Sequence, residues 1–172
     1  GAKISGSGTS TIKIEGVDYL HQCFHEVIPD RIETGTYIII GALCGKMLKV
    51  DNIIPEHVDS LISKLEEMGV ELETGTDYVT ILNSNNPIKA TNIKTAVYPG
   101  FPTDLQQPIT VLLTQASGTS KVTETIFENR FMHIPYLKSL GANIEIKNQT
   151  ATIVGPKKLI GTEVVATDLR AG

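Results

Sequence analysis

Met68-Gly69-Val70-Glu71-Leu72-Glu73 and Leu140-Gly141-Ala142-Asn143-Ile144-Glu145 are two versions of one pattern, and this pattern decides the fold. Each stretch begins where an amphipathic helix ends at a glycine, and each then alternates apolar and polar residues as a half-buried strand does. A second strand follows closely in both cases, at 78–82 and at 150–154, so each stretch predicts a β-hairpin. The two hairpins therefore indicate two copies of a repeated unit.

The same series of elements precedes both hairpins, which predicts a repeat of strand, helix, strand, helix and two further strands. In the first copy these are a short strand within 20–28, a helix over 31–44 with Asp30 as N-cap, a strand at 46–50 and a helix over 56–68. In the second copy they are a strand at 93–97, a helix over 102–115, a strand at 121–126 and a helix over 132–140. A third copy begins at 162, and a separate strand is predicted at 10–15. The fold class is therefore α/β.

Composition and charge limit the classes of function. The chain has 172 residues with 41% hydrophobic content, which is enough for one domain or for one domain and part of another. It has no Trp and only 5% aromatic residues, so we expect an aliphatic core. A net charge of −4 argues against a nucleic-acid partner, because such proteins carry a basic surface. A few arginines in a cleft can still bind a small anion.

The remaining bulk features predict a cytoplasmic protein without a membrane segment. Cys23 and Cys44 are too few for a disulfide scaffold in a chain of this length. No apolar stretch is long enough to cross a bilayer, and the N-terminus has no apolar signal core. The chain begins without Met and stops at a predicted helix start, so we expect a piece of a longer protein.

Four stretches of the chain carry a family resemblance. They are Val27-Ile28-Pro29-Asp30-Arg31-Ile32-Glu33-Thr34-Gly35-Thr36, Phe101-Pro102-Thr103-Asp104, Glu124-Thr125-Ile126-Phe127-Glu128-Asn129-Arg130-Phe131-Met132-His133 and Ala166-Thr167-Asp168-Leu169-Arg170-Ala171. These stretches resemble the enolpyruvyl transferase family, in particular its UDP-N-acetylglucosamine branch. They occur in the family's order, so the resemblance covers essentially the whole chain. The stretch 127–133 is the most specific of them.

The resemblance implies an inside-out α/β barrel, in which each of two domains has three repeats. Residues 1–28 resemble the tail of the second domain, and 29–172 resemble a partial first domain. The repeats are then about 29–90 and 91–156, with a third begun at 157–172. Because the family's catalytic loop and several of its cationic residues have no match here, we expect no turnover from this chain alone. We also expect self-association, because an incomplete repeat exposes apolar surface.

The activity implied by the resemblance is transfer of the enolpyruvyl group of phosphoenolpyruvate to the 3′-hydroxyl of UDP-N-acetylglucosamine. This step belongs to peptidoglycan precursor synthesis, and so to cell shape and division, and it implies no cofactor or metal. The partners would be the two substrates and the remainder of the parent enzyme. Two alternatives stay open: the sister transferase that uses shikimate 3-phosphate, against which the stretch 127–133 argues, and a non-catalytic repeat module that binds a ligand.

Asp104 is the candidate catalytic residue. The matching aspartate of the family hydrogen-bonds the sugar 3′-hydroxyl and is a proposed base. Its spacing alone instead favours a plain helix N-cap, since Asp is a leading residue at that position. The Phe-Pro-Thr-Asp context favours the catalytic interpretation.

Two Asp/Arg pairs, Asp30 with Arg31 and Asp168 with Arg170, form a second tier of candidates for substrate binding. Each pair lies at a predicted helix start, where free N–H groups and the helix dipole favour anions. Arg170 is then a candidate contact for phosphate or carboxylate. The alternative for both pairs is a helix cap with a surface ion pair.

Ile126 resembles a position whose backbone contacts the uracil nucleotide, although as a side chain it equally suits a buried strand. The resemblance also marks Asn129, Arg130 and His133 without assigning a role to each. For His133 the simplest interpretation is a histidine on the surface.

Overall fold

The chain is an α/β protein built from two similar units and a separate N-terminal hairpin. A computed structural model describes residues 1–82 and 86–165. Its strands are β1 (Lys3–Ser5), β2 (Lys13–Glu15), β3 (Leu48–Asp51), β4 (Leu72–Thr74), β5 (Tyr78–Ile81), β6 (Asn92–Lys94), β7 (Gly118–Thr123), β8 (Asn143–Lys147) and β9 (Thr150–Gly155). Its α-helices are α1 (Arg31–Cys44), α2 (Asp59–Glu67), α3 (Gln106–Leu113) and α4 (Ile134–Ser139), and 3-10 turns lie at Pro55–Val58 and Thr103–Leu105.

Three strands have the same arrangement in both units. The first sheet has the order β3-β5-β4 and is antiparallel throughout, with Val50 opposite Val79. The second has the order β6-β7-β9-β8, in which β7, β9 and β8 repeat that arrangement. The predicted series of helix, strand, helix and hairpin is therefore present in both copies.

The strand predicted within 20–28 is wrong. Residues 16–30 contain no helix or strand, and the first sheet has no counterpart of β6, which pairs in parallel with β7. The apolar side chains of this segment are exposed, Phe24 completely so. An isolated extended segment has no partner for its backbone groups, and its apolar pattern alone does not make it a strand.

Two of the predicted helices begin as 3-10 turns, and their α-helical parts are shorter than predicted. The helix predicted over 56–68 begins as the turn Pro55–Val58 and continues as α2. The helix predicted over 102–115 likewise begins as the turn Thr103–Leu105 and ends at Leu113. The helix over 31–44 is confirmed: the Asp30 carboxylate accepts hydrogen bonds from the backbone N of Ile32 and Glu33, at 2.7 and 3.3 Å.

The core is aliphatic, as the composition predicts. Phe101 is the one aromatic side chain among the buried apolar residues of 1–82 and 86–165. Helix α1 packs against α3 and against the turn that precedes it. Gly35 makes this approach close, because a Cβ there would lie 2.5 Å from Leu105 Cδ1 and 3.2 Å from Leu61 Cδ2. The turn that carries Asp104 is thereby anchored to α1.

The N-terminal hairpin stands apart from the two repeats. Strands β1 and β2 form a two-stranded antiparallel sheet, with Lys3 opposite Glu15, and every residue in it is exposed. The strand predicted at 10–15 is present in shortened form as β2. Within the described ranges, no helix combines the length and apolar character needed to cross a membrane.

Candidate functional site

Two loops that follow neighbouring parallel strands bring the candidate residues together. Strand β6 ends at Lys94 and β7 at Thr123, and the two strands run in parallel, so their carboxyl ends meet at one edge of the sheet. The segment after β6 leads to the turn with Asp104, and the segment after β7 carries Ile126 and Arg130. This edge is where α/β sheets commonly bind ligands.

Asp104 forms an ion pair with Arg130 across these two segments. The Arg130 Nη2 atom donates to Asp104 Oδ1 at 2.5 Å, and the side chains are 18% and 33% exposed, respectively. The Arg130 guanidinium also lies 5.4 Å from the centroid of the Phe127 ring. Charge-assisted bonds of this kind are stronger than neutral ones, and partial burial reduces screening by water. The carboxylate is therefore held in place with part of its surface open to a ligand.

The N-cap interpretation of Asp104 is wrong. Pro102 and Leu105 hold the N-cap positions of the 3-10 turn and of α3, and neither element has a side-chain cap hydrogen bond. Asp104 lies inside the turn between them, so its carboxylate is directed to Arg130 instead of to the backbone of its own helix.

Ile126 lies in a loop and not in a strand. Strand β7 ends at Thr123, and the Ile126 side chain is half-buried, so the alternative of a buried strand residue is wrong. Its backbone N donates to Glu124 Oε1 at 2.8 Å. The backbone at this position is thus fixed, as a position that contacts a ligand through its main chain requires.

An open cavity borders the Arg130 side of this site. Its volume is about 490 Å³, which falls within the range of ligand pockets. Aromatic, amide and charged side chains surround it, including Phe127, Asn129, Arg130 and Gln149.

Among the described residues, none of the predicted substrate-binding positions lines this cavity, and this includes Asp104 and Ile126. Asp30 and Arg31 line a second cavity of about 350 Å³, which shares no lining residue with the first. There the Arg31 guanidinium lies 5.5 Å from the Tyr98 ring centroid, and His57 meets the same ring edge-on at 6.3 Å. Asp168 and Arg170 lie outside the described residues, so their positions stay a prediction.

Sequence reasoning marked Arg130 but assigned it no partner, and it overlooked Glu124 as a candidate site residue. Asp104 and Arg130 have opposite charges and each follows a predicted strand, but the sequence did not indicate that these two strands pair. Glu124 was overlooked because a glutamate that follows a strand is ordinarily exposed to solvent. The structure shows it 1% exposed.

His133 is buried and not on the surface, so that expectation is wrong. Its side chain is 7% exposed, and its ring lies 6.4 Å from that of Phe131, centroid to centroid. Burial, together with the nearby positive charge of Arg130, lowers the pKa of His133 to about 4. The imidazole is therefore neutral at pH 7 and supports the loop through packing.

We expect His133 to make the chain less stable in mild acid. Its pKa is near 6.5 in the unfolded chain and about 4 when folded, so the unfolded state binds the proton more readily between these values. The unfolding free energy therefore keeps its full value above pH 6.5 as far as His133 is concerned. It decreases as the pH falls towards 4, by a total of about 3 kcal/mol. An NMR titration of the His133 ring should give a midpoint near 4.

The variant His133→Gln provides the control for the predicted pH dependence of stability. The difference in unfolding free energy between pH 7 and pH 4.5 should be smaller in the variant than in the wild type, because its side chain does not take up a proton in that range. Equal pH dependence in both proteins, or a ring midpoint near 6.5, would contradict the assignment.

Comparison with known proteins shows the family. The family model described as EPSP synthase (3-phosphoshikimate 1-carboxyvinyltransferase) matches residues 1–172. The chain therefore belongs to the EPSP synthase family of carboxyvinyl, or enolpyruvyl, transferases.

Particular members of that family are considerably more similar than others. Over 172 residues the chain is 54% identical to UDP-N-acetylglucosamine 1-carboxyvinyltransferase 2 of Bacillus subtilis (strain 168) and 51% identical to the protein of that name from Listeria monocytogenes. All of this chain is covered, but it spans only 40% of the length of these curated relatives.

Solved structures agree with the family. The crystal structure of the enolpyruvyl transferase NikO from Streptomyces tendae has a TM-score of 0.79 at 29% identity, covering 99% of this chain and 41% of that one. EPSP synthase from Acinetobacter baumannii has a TM-score of 0.60 at 17% identity, covering 94% and 38%, respectively. The second likeness shows the shared fold alone.

Proposed function

We propose that this chain forms part of an enzyme that transfers the enolpyruvyl group of phosphoenolpyruvate to the 3′-hydroxyl of UDP-N-acetylglucosamine, a step of peptidoglycan precursor synthesis in the cytoplasm. The observation that carries the proposal is the Asp104–Arg130 pair at the edge of β6 and β7, with Oδ1 and Nη2 2.5 Å apart. The identity of 54% to relatives named for this substrate supports the choice of nucleotide sugar.

Asp104 would act as the base in this reaction. The sugar oxygen attacks C2 of the enol while an acid supplied by the remainder of the parent enzyme would protonate C3, which gives a tetrahedral intermediate. Loss of phosphate from C2 and return of a proton from C3 to that group would then restore the double bond. Asp104 would take the proton of the attacking hydroxyl, and Arg130 would hold the carboxylate in the required orientation. The partly exposed carboxylate allows a hydroxyl to approach it.

The second tier of candidates completes the proposed site. Ile126 would contact the nucleotide through its backbone. The arginines of the two pairs, Arg31 beside Asp30 and Arg170 beside Asp168, would bind the anionic parts of the substrates. We place these residues in an inside-out barrel formed with the remainder of the parent enzyme, in which 1–28 belongs to the second domain and 29–172 to the first. The complete cleft requires both walls, so this chain alone is proposed to lack turnover.

The sister reaction on shikimate 3-phosphate is the alternative within the family. EPSP synthase from Acinetobacter baumannii is only 17% identical to this chain. The Bacillus subtilis relative that is named for the nucleotide sugar is 54% identical to it. A module that only binds a ligand is the alternative from another class. Turnover with purified parent enzyme distinguishes the three, since each predicts a different product or none.

A chemical-shift titration of the chain with UDP-N-acetylglucosamine tests the half-site directly. We expect shifts of amide signals near Asp104 and Ile126, and we expect Asp104→Ala to abolish those near 104. Asp51→Ala, which removes an exposed carboxylate on β3, is the matched control and should leave the shifts unchanged. No shift at saturating ligand in the wild type would contradict binding by this half of the cleft.

Self-association of the isolated chain is a further part of the proposal. Helix α1 has exposed apolar side chains at intervals of three, namely Tyr37, Ile40 and Leu43. Such a stripe on an otherwise buried helix is typical of a face that packs against a neighbouring element.

We expect light scattering to show that the wild-type chain forms oligomers and that the variant Ile40→Glu is monomeric. The control is Ile160→Glu, which places the same charge at an exposed isoleucine outside any helix or strand. A monomer at high concentration in the wild type, or an equal effect of both variants, would count against association through α1.

A further inference from the structure

Glu124 is a buried carboxylate that connects the two segments of the candidate site. It is 1% exposed and lies immediately after β7. Its Oε1 atom accepts hydrogen bonds from Thr95 Oγ1 at 2.8 Å, from the Ile126 backbone N at 2.8 Å and from the Phe127 backbone N at 3.2 Å. Its Oε2 atom accepts one from Thr103 Oγ1 at 2.8 Å.

These four hydrogen-bond donors explain how the Glu124 carboxylate can be buried. A buried charge without partners is costly, whereas an ionised carboxylate has about four lone-pair sites and is satisfied by four donors. The donors come from three separate segments: Thr95 after β6, Thr103 in the turn before α3, and the loop after β7. Thr95 is itself fully buried, and its Oγ1 accepts from the Thr125 backbone N at 2.9 Å.

We propose that Glu124 is a positioning residue for nucleotide-sugar binding. Thr103 precedes Asp104, and Ile126 and Phe127 precede Arg130 in its loop, so one carboxylate fixes both sides of the Asp104–Arg130 pair. Glu124 acts through these residues, and the nucleotide part of the inference rests on the function proposed above. Its loss would uncouple the turn before α3 from the loop after β7.

The test compares Glu124→Met, Glu124→Gln and the control Glu145→Gln, which makes the Glu-to-Gln change at an exposed position of β8. Met removes every acceptor. Gln keeps one oxygen for three donors, and its amide can donate to the Thr103 hydroxyl. We expect amide hydrogen exchange at Ile126 and Phe127 to be faster by about tenfold to a hundredfold in Glu124→Met, the equivalent of one charged hydrogen bond. The change should be smaller in Glu124→Gln and absent in the control.

Variants of Thr103 distinguish a positioning role of Glu124 from a merely structural one. Thr103→Val removes only the donor next to Asp104, and Thr103→Ser restores it. We expect the Val variant, once folded, to bind UDP-N-acetylglucosamine about tenfold more weakly while the Ser variant binds as the wild type does. Unchanged affinity of folded Glu124→Met and Thr103→Val would overturn the positioning role, whatever the effect on stability.

A readout that needs no ligand keeps this inference separate from the proposed function. The Arg130 Nη–H signals in NMR report whether the guanidinium stays bound to Asp104, and we expect them to shift and broaden in Glu124→Met. If the wild-type chain binds no nucleotide sugar, the binding proposed for this half of the cleft fails, while these signals still test the coupling. Signals identical to those of the wild type would overturn it.

Discussion

Replacing Asp104 by Asn in the full-length enzyme proposed above is expected to lower kcat by about 10²- to 10⁴-fold, the range contributed by a positioned general base. Asn has the shape of Asp and keeps one acceptor for Arg130 Nη2, so the site remains folded. The amide is unable to take a proton from the sugar hydroxyl, and the effect therefore falls on the chemical step. Steady-state kinetics with both substrates measures it.

The control for this prediction is Asp51→Asn, which removes the same charge from an exposed position of β3. Its kcat and KM should equal those of the wild type. A fall in kcat for Asp104→Asn with unchanged unfolding free energy would support the catalytic role. A variant that retains the wild-type kcat would show that Asp104 is a binding or structural partner of Arg130 only.

A double-mutant cycle at Gly35 and Leu105 should give the largest changes in stability. Leu105→Ala deletes most of a fully buried side chain, and we expect it to lower the unfolding free energy by about 2–5 kcal/mol. Gly35→Ala alone should cost about 1–3 kcal/mol, because the new Cβ would lie 2.5 Å from Leu105 Cδ1 in a packed core. The gain of about 1 kcal/mol that Ala brings to a helix offsets part of this cost, so we expect a net loss of up to about 2 kcal/mol.

The sign of the Gly35→Ala effect should reverse in the Leu105→Ala background. The two atoms nearest to the new methyl group belong to Leu105, so their removal leaves room for it, and the helix gains the propensity of Ala. Urea unfolding of the four proteins measures the coupling. Gly16→Ala, where a Cβ would meet nothing within 4 Å, should be close to neutral. Additive effects would contradict the packing described here.

Much of the fold could be predicted because local patterns and the repeat agree. Asp30 and Gly45 delimit α1 through cap chemistry that is written in adjacent residues. The hairpins at 72–81 and 143–155 follow from alternation in short strands joined by tight turns. The strand predicted within 20–28 was wrong because pairing depends on a neighbour, and residues 16–30 run exposed without one.

The candidate site could be predicted only in part. The resemblance drew attention to Asp104 and Ile126, and the structure places them on two segments beside the same sheet edge. The sequence and the resemblance could not reveal that Asp104 pairs with Arg130. The two residues are distant in sequence, and only the parallel pairing of β6 and β7 brings them together. His133 was assigned to the surface for a related reason: a single polar residue carries no local sign of burial.

The sequence by itself determined the α/β repeat, the aliphatic core, the cap of α1 and the family. These features depend on periodicity, composition and short motifs, which act between residues close along the chain. Only the tertiary structure decided that Asp104 is an ion-pair partner and not a cap, that His133 is buried with a lowered pKa, and that Glu124 connects Thr95, Thr103 and Ile126. Those roles depend on which distant segments share one buried, weakly screened environment, and that is fixed only when the sheet assembles.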